Sequence, residues 1–270
     1  QAEDGIRDIG VTGVQTCALP IYVTISVREK NLGLYNHIPL ALSSFYEKYD
    51  CGAILEDDIN FSDSFFPFIE TQLKLFGVGN SIWSIVGHNP RKSYSSNIQK
   101  SVKPFRTRIH TIWGWAAPAA TIDDFFVYRS RKSDLIIRDV REFSYSATKD
   151  PFLRRAIELV WTRKFLRALE FDKNGSWDNF WLLAAWKSGK TSIMPSHSYS
   201  GEIFTEEGSS HARKWNSDNR LLFNLPFEDN VQAISKRRDI SMMEVWGISR
   251  KYSWAYSKRV QNQLQSLSQL

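Results

Sequence analysis

Three carboxylates in a row, Glu56-Asp57-Asp58, follow the apolar run Ala53-Ile54-Leu55. Adjacent like charges at a strand end cost stability unless a cation or strong hydrogen-bond donors sit opposite them. The chemistry such a cluster could do is to hold a divalent metal and, through it, a diphosphate. Three other places carry residues that could complete a site. Asp178 lies just inside a helix that Ser176 can cap; there it is either a general base or an acidic residue complementing the helix dipole. Trp113-Gly114-Trp115 sets two large rings either side of a flexible residue, which is either core filling or a wall against the face of a sugar. His211 ends the polar loop that begins at Ser198. A lone loop histidine is structural or solvated unless the carboxylate site gives it a metal to share.

Positioning these residues falls to alternating strands and helices. Val23-Thr24-Ile25-Ser26-Val27 alternates as a half-buried strand, and a polar turn, Arg28 to Gly33, follows. Ile38, Leu42 and Phe45 recur at helical spacing, predicting a helix from Leu34 to about Lys48, and Gly52 to Leu55 reads as a short strand. Beyond the carboxylates, Ser62 or Asp63 can cap a helix that turns Phe65, Phe66, Ile69, Leu73 and Phe76 inward and stops at Gly77. Ser81 to Val86 is another strand. Short connections between such elements predict an α/β layer architecture, whose ligands sit at the carboxyl ends of strands. Ile136 to Glu142 and Pro151 to Glu170 read as helices, the second with a basic face of Arg154, Arg155, Arg163, Lys164 and Arg167 that suits solvent. A helix from Trp177 runs to a Gly189 stop, and Thr191 to Met194 is a strand before Pro195. From Lys236 onward, basic residues interleave with Met242, Met243, Trp246, Tyr252, Trp254 and Tyr256; this tail is either an ordinary helical appendage or a segment able to lie on an anionic membrane surface.

Composition bounds these readings. The first 21 residues have neither helical nor strand periodicity, and they resemble the translation of a short-read sequencing primer. They are set apart as a non-native leader, with the gene product expected to begin further upstream. With 42% hydrophobic and 14% aromatic residues, the remaining chain of about 250 residues suffices for one large core. No stretch reaches the roughly 18 apolar residues of a membrane span. The net charge is +6; Glu3, Asp4, Asp8 and Arg7 of the leader contribute −2, which leaves +8 on the rest. Such a balance suits anionic partners without choosing among nucleotide diphosphates, lipid surfaces and nucleic acid. Cys17 lies in the leader and Cys51 stands alone, which excludes a disulfide framework and fits a reducing compartment.

Taken in order, Ile54-Leu55-Glu56-Asp57-Asp58 with Ser64-Phe65-Phe66 behind it, Trp113-Gly114-Trp115, Trp177-Asp178 and Ser209-Ser210-His211 resemble the GT-A glycosyltransferases related to N-acetylglucosaminyltransferase I, including their bacterial relatives. The resemblance spans roughly residues 23–211. It implies an α/β, Rossmann-like GT-A domain over 22–215, with a mixed, mostly parallel sheet and helices on both faces. That domain would be truncated at its amino end and followed by a helical extension over 216–270. It also implies inverting transfer of a sugar, GlcNAc being one candidate, from a UDP-sugar or similar nucleotide-sugar donor to a glycan or glycolipid acceptor, with Mn2+ or Mg2+ as cofactor. Carried onto this chain, Asp58 is the metal ligand, Asp57 bonds the ribose and Glu56 contacts the donor sugar. Alternation along a strand would point Glu56 and Asp58 one way and Asp57 the other. His211 lies near the diphosphate or metal, Trp113 and Trp115 near the acceptor. Asp178 is the candidate base, needed within about 3 Å of the acceptor hydroxyl. Relatives of eukaryotic type carry two adjacent carboxylates after that Trp, whereas Asn179 follows Asp178 here. The strand and turn that hold the nucleotide base in relatives precede anything matching Val23, so the chain is expected to carry only part of that pocket. A cytoplasmic enzyme is expected, with the inner face of the cell membrane within reach of the tail.

Two other classes compete. A non-catalytic carbohydrate-binding or scaffold protein with the same fold is motivated by Asn179. A metal-dependent phosphohydrolase would need further His and Asp ligands, which do not cluster in the sequence. Nucleic-acid binding has only the net charge in its favour, with no recognisable module beside it.

Overall fold

The computed structural model describes residues 24–75, 81–90, 103–129, 133–170 and 177–202. The leader, Gly77, Ser176, His211 and the tail lie outside the described residues. By its contacts the chain divides into two units, residues 1–32 and 33–270. In the first, residues 24–28 are exposed and belong to no ladder among the described residues, so the strand expected over 23–27 is not formed in its described part. Alternation makes a strand possible; only a neighbour that accepts its N–H and C=O groups makes one.

In the second unit six helices and seven strands are described: α1 (Gly33–Tyr46), β1 (Cys51–Ile54), β2 (Ile59–Phe61), α2 (Phe65–Leu73), β3 (Ile82–Val86), β4 (Phe105–Thr107), β5 (Trp115–Pro118), α3 (Ala119–Arg129), α4 (Ser133–Ala147), α5 (Pro151–Glu170), α6 (Trp177–Ser188), β6 (Thr191–Met194) and β7 (Ser200–Glu202). Local chemistry accounts for several ends. The Asp150 carboxylate accepts from the N–H groups of Phe152 (2.9 Å) and Leu153 (3.2 Å) and so caps α5, while Pro151 takes the first helical position, where its missing N–H costs nothing. Gly189, at φ 70°, closes α6 as a glycine after a helix usually does. The start of α2 differs from expectation. Ser64 precedes it without a side-chain cap, the Phe65 N–H bonds the Ser62 carbonyl, and Phe66 faces outward. Helix α3 was not anticipated, although its buried Thr121, Ile122, Phe125 and Tyr128 recur at helical spacing.

The chain is a mixed α/β fold. Its five-stranded sheet has the order β1-β5-β3-β6-β4, and β2 pairs β7 in a separate ribbon. Only the β3–β6 ladder of this sheet is parallel; β5 is antiparallel to β1 and β3, and β4 is antiparallel to β6. The expectation of a mostly parallel sheet therefore fails among the described ladders. Parallel neighbours need a long crossover, usually helical. No helix is described between β3 and β5, and both β4 and β5 run opposite to β3. Strands β1, β3 and β6 nonetheless share one direction, so their carboxyl ends lie at the same end of the sheet.

Both faces are covered. Ala116, Ile193, Ile82 and Ile85 meet Phe65, Phe68 and Ile69 of α2 and Tyr199. The alternate residues Trp115, Ala117 and Met194, with Trp83 and Val86, face a larger layer built from α1, α3, α4, α5 and α6. A register shift between Ile82 and Ile85 explains why β3 repeats its facing every three residues there, as a bulge requires. Trp83, Trp115, Trp181, Phe125 and Phe180 are fully buried in the helical layer. Burying a side chain of this size stabilises by about 1.5–3 kcal/mol, and favourable ring pairs such as Trp115 and Trp181 add about 0.5–1.5 kcal/mol.

Candidate functional site

Strand β1 ends at Ile54, and the carboxylates follow in a tight turn: the Ile59 N–H bonds the Glu56 carbonyl at 3.2 Å and leads into β2. Asp57 is exposed, and Glu56 and Asp58 are half-buried. Because residues 57 and 58 are turn residues, strand alternation lends no support to the division of roles among the three carboxylates, which rests on the resemblance alone. Among the described residues no three His, Cys, Asp or Glu side chains converge as a ready-made metal cage. A magnesium-type ion on a diphosphate asks for less: it keeps waters and phosphate oxygens and takes one or two carboxylates from the protein. Asp58, with a neighbouring carboxylate, is a donor set of that kind. His211 lies outside the described residues.

Trp115 connects this turn to the other candidates. It is the ladder partner of Ile54 on one side and of Val86 on the other, so it sits at the carboxyl ends of β1 and β3. Its ring packs 6.2 Å from Trp177 and 4.6 Å from Trp181, which brings the amino end of α6 to the same end of the sheet. At 0% exposure it cannot offer a face to a sugar, and the acceptor role expected for it is corrected to core filling. Trp113 is half-buried and packs edge-on to His88, with centroids 4.5 Å apart. The two tryptophans part because Gly114 turns the chain between them at φ 74°. A Cβ at Gly114 would lie 2.9 Å from Ser200 and 3.1 Å from Phe65.

Asp178 occupies the first turn of α6 and is half-buried. Lys164 of α5 is near it: burial pulls the Lys164 ammonium below its usual pKa, and the Asp178 charge opposes that pull.

Sequence reasoning passed over the residues that the loops after β3 and β6 bring together. Gly87-His88-Asn89-Pro90 leaves β3, and Pro195 to Tyr199 connects β6 to β7. The Asn89 amide donates to the carbonyls of Pro195 (2.9 Å) and Ser196 (3.0 Å), and Ser198 Oγ accepts from the Asn89 N–H at 3.0 Å. Thr111 Oγ1 donates to the His88 carbonyl at 3.0 Å, and Ser200 Oγ to the Trp113 carbonyl. His88 Nδ1 lies 3.0 Å from the Ser200 carbonyl; a carbonyl only accepts, so Nδ1 carries the proton and Nε2 the lone pair. Burial holds His88 down to a pKa of about 4, the Ser200 carbonyl opposing, and the ring is neutral near neutral pH. His110 is similar: its Nδ1 is 2.6 Å from Ser192 Oγ, which is 2.5 Å from Ser84 Oγ, and burial lowers its pKa to about 3. The available signal was polar, histidine-bearing sequence directly after an apolar strand, the same signal that marked Glu56-Asp57-Asp58.

Among the described residues no helix is long and apolar enough to cross a membrane. The chain matches no protein-family model, and no curated protein matches it.

Proposed function

We propose that the chain is a metal-dependent, inverting glycosyltransferase of GT-A type that moves a sugar from a nucleotide-sugar donor, UDP-linked in the first instance, to a glycan or glycolipid acceptor. The observation that carries this reading is the convergence of the acidic turn after β1, the polar loops after β3 and β6, and the Asp178 end of α6 on one end of a mixed α/β sheet. Carboxyl ends of strands are where ligands of such sheets bind. Asp58 would hold a divalent cation, with Asp57 and Glu56 beside it for ribose and donor sugar. The metal, when bound, neutralises the charge that develops on a leaving diphosphate. Asp178 would accept the proton of the attacking hydroxyl, and Trp113 would flank the acceptor. The experiment is transfer or hydrolysis of UDP-glucose and UDP-N-acetylglucosamine by the 270-residue chain with Mn2+, Mg2+ or EDTA. Metal-dependent release of UDP that Asp58→Ala abolishes is the expected result; release unchanged by EDTA rejects the metal assignment.

A second reading has its own observation. Asn179 follows Asp178 where relatives of eukaryotic type carry a second carboxylate, as in a carbohydrate-binding protein that kept the fold and lost turnover. Sugar or nucleotide-sugar binding by calorimetry without UDP release favours that reading.

A further inference from the structure

We infer that the Nε2 lone pair of His88 is a hydrogen-bond acceptor for a sugar hydroxyl, in a subsite shared with Trp113 at the carboxyl ends of β3 and β6; this rests on the glycosyltransferase reading. The His88 ring is fixed by its Nδ1–H bond to the Ser200 carbonyl, and its own carbonyl by Thr111. Its Nε2 is shut from solvent and has no hydrogen-bond partner among the described residues, on a residue only 6% exposed. A buried acceptor left unpaired costs about 1–3 kcal/mol, and an unpaired polar atom in an otherwise well-bonded loop calls for a partner that arrives later. The tautomer decides what that partner is. Nε2 offers a lone pair and no proton, so it takes a donor such as a hydroxyl and gains nothing from a phosphate oxygen or a carboxylate. The half-buried Trp113 indole packs against the ring at 75° with centroids 4.5 Å apart; entry of the sugar requires this indole to turn aside, its aromatic face then lying against the same sugar.

The hydroxyl belongs to either the donor sugar or the acceptor, and the test has an arm for each. Nitrogen NMR of the histidine rings is recorded on the full 270-residue chain, free, with UDP-N-acetylglucosamine and Mg2+, and with a methyl glycoside. The expected result is a pyridine-type Nε2 on His88 in the free protein that moves toward the hydrogen-bonded position in one arm. His88→Asn keeps a donor where Nδ1 stands and lacks Nε2. It is expected to remain folded and to bind that ligand about tenfold more weakly, with the other arm unchanged. An Nε2 signal that stays fixed while ligand binds, or already hydrogen-bonded to water and unmoved by ligand, overturns the inference, as does wild-type affinity in His88→Asn. Failure of the wild type to bind either ligand overturns the glycosyltransferase reading itself and this inference with it.

Discussion

Trp115 stands opposite Ile54 in the β1–β5 ladder and packs its indole 4.6 Å, centroid to centroid, from Trp181 of α6. One fully buried residue thus ties the strand that leads to the acidic turn to the helix that carries Asp178. Trp115→Ala is expected to cost about 3–5 kcal/mol, the usual range for a large aromatic removed from a core, read as a lower urea midpoint. Trp113→Ala, at a half-buried position, is expected to cost about 1 kcal/mol and to weaken sugar binding instead. Equal losses of stability in the two variants would contradict the division between core and site.

Asp58 lies in a turn whose backbone bond runs from Ile59 to Glu56, so its carboxylate can be altered without disturbing the fold. Asp58→Asn should shift stability by no more than about 0.5 kcal/mol. Metal-dependent transfer should fall by about a hundredfold, equivalent to about 2.7 kcal/mol of transition-state stabilisation. Calorimetric titration with Mn2+ in the presence of UDP checks the cause: the variant should bind metal more weakly, and an unchanged isotherm removes Asp58 from the metal.

The two buried histidines set an acid limit on stability. Both are held below the ordinary value near 6.5, His88 to about 4 and His110 to about 3, by the cost of charging a buried ring. Below pH 6.5 the unfolded chain binds protons that the folded one does not, so stability is full above 6.5 and falls as pH drops toward 4 and then 3. Each histidine is expected to contribute a slope of about 1.4 kcal/mol per pH unit in that window. Urea unfolding at pH 7.0, 6.0 and 5.0 measures the slope, and His110→Gln should flatten it by about half.

Gly114 and Gly189 both have positive φ, 74° and 70°, but their surroundings differ. A Cβ at Gly189 meets nothing within 4 Å, whereas at Gly114 it meets Ser200 at 2.9 Å and Phe65 at 3.1 Å. Gly189→Ala should cost about 1–2 kcal/mol for the left-handed backbone. Gly114→Ala should cost a further 1–3 kcal/mol or so for overpacking, and should displace Trp113. Similar thermal midpoints for the two variants would show that the loop at Ser200 yields freely.

Much of the fold was legible because its elements are locally determined. The strand over Thr191–Met194, the helix over Pro151–Glu170 and the glycine stop after α6 depend on residues within a few positions of one another, and the structure has them where periodicity and end signals put them. The strand expected over 23–27, in its described part, and the inward face of Phe66 were not fulfilled, since each needed a neighbour that nothing in its own segment specifies. Strand β7 was read as loop because its three residues, Ser-Gly-Glu, become a strand only by pairing β2.

What the sequence by itself determined is the chemistry on offer and its local frame: a carboxylate triplet after an apolar strand, a Trp-Asp helix start, a glycine between two tryptophans. Tertiary structure decided which of these residues are buried in the core and which are left half-buried or exposed at the carboxyl ends of the strands. Trp115 and Trp113 are alike in type and two positions apart, and only the pairing of β5 between β1 and β3 buries the first and leaves the second beside His88. The same pairing made a sheet expected to be mostly parallel a mainly antiparallel one among the described ladders, and brought His88, silent in the sequence, to the end where the carboxylates lie. Periodicity is a property of a segment, whereas burial and convergence depend on which distant segments a strand finds as neighbours.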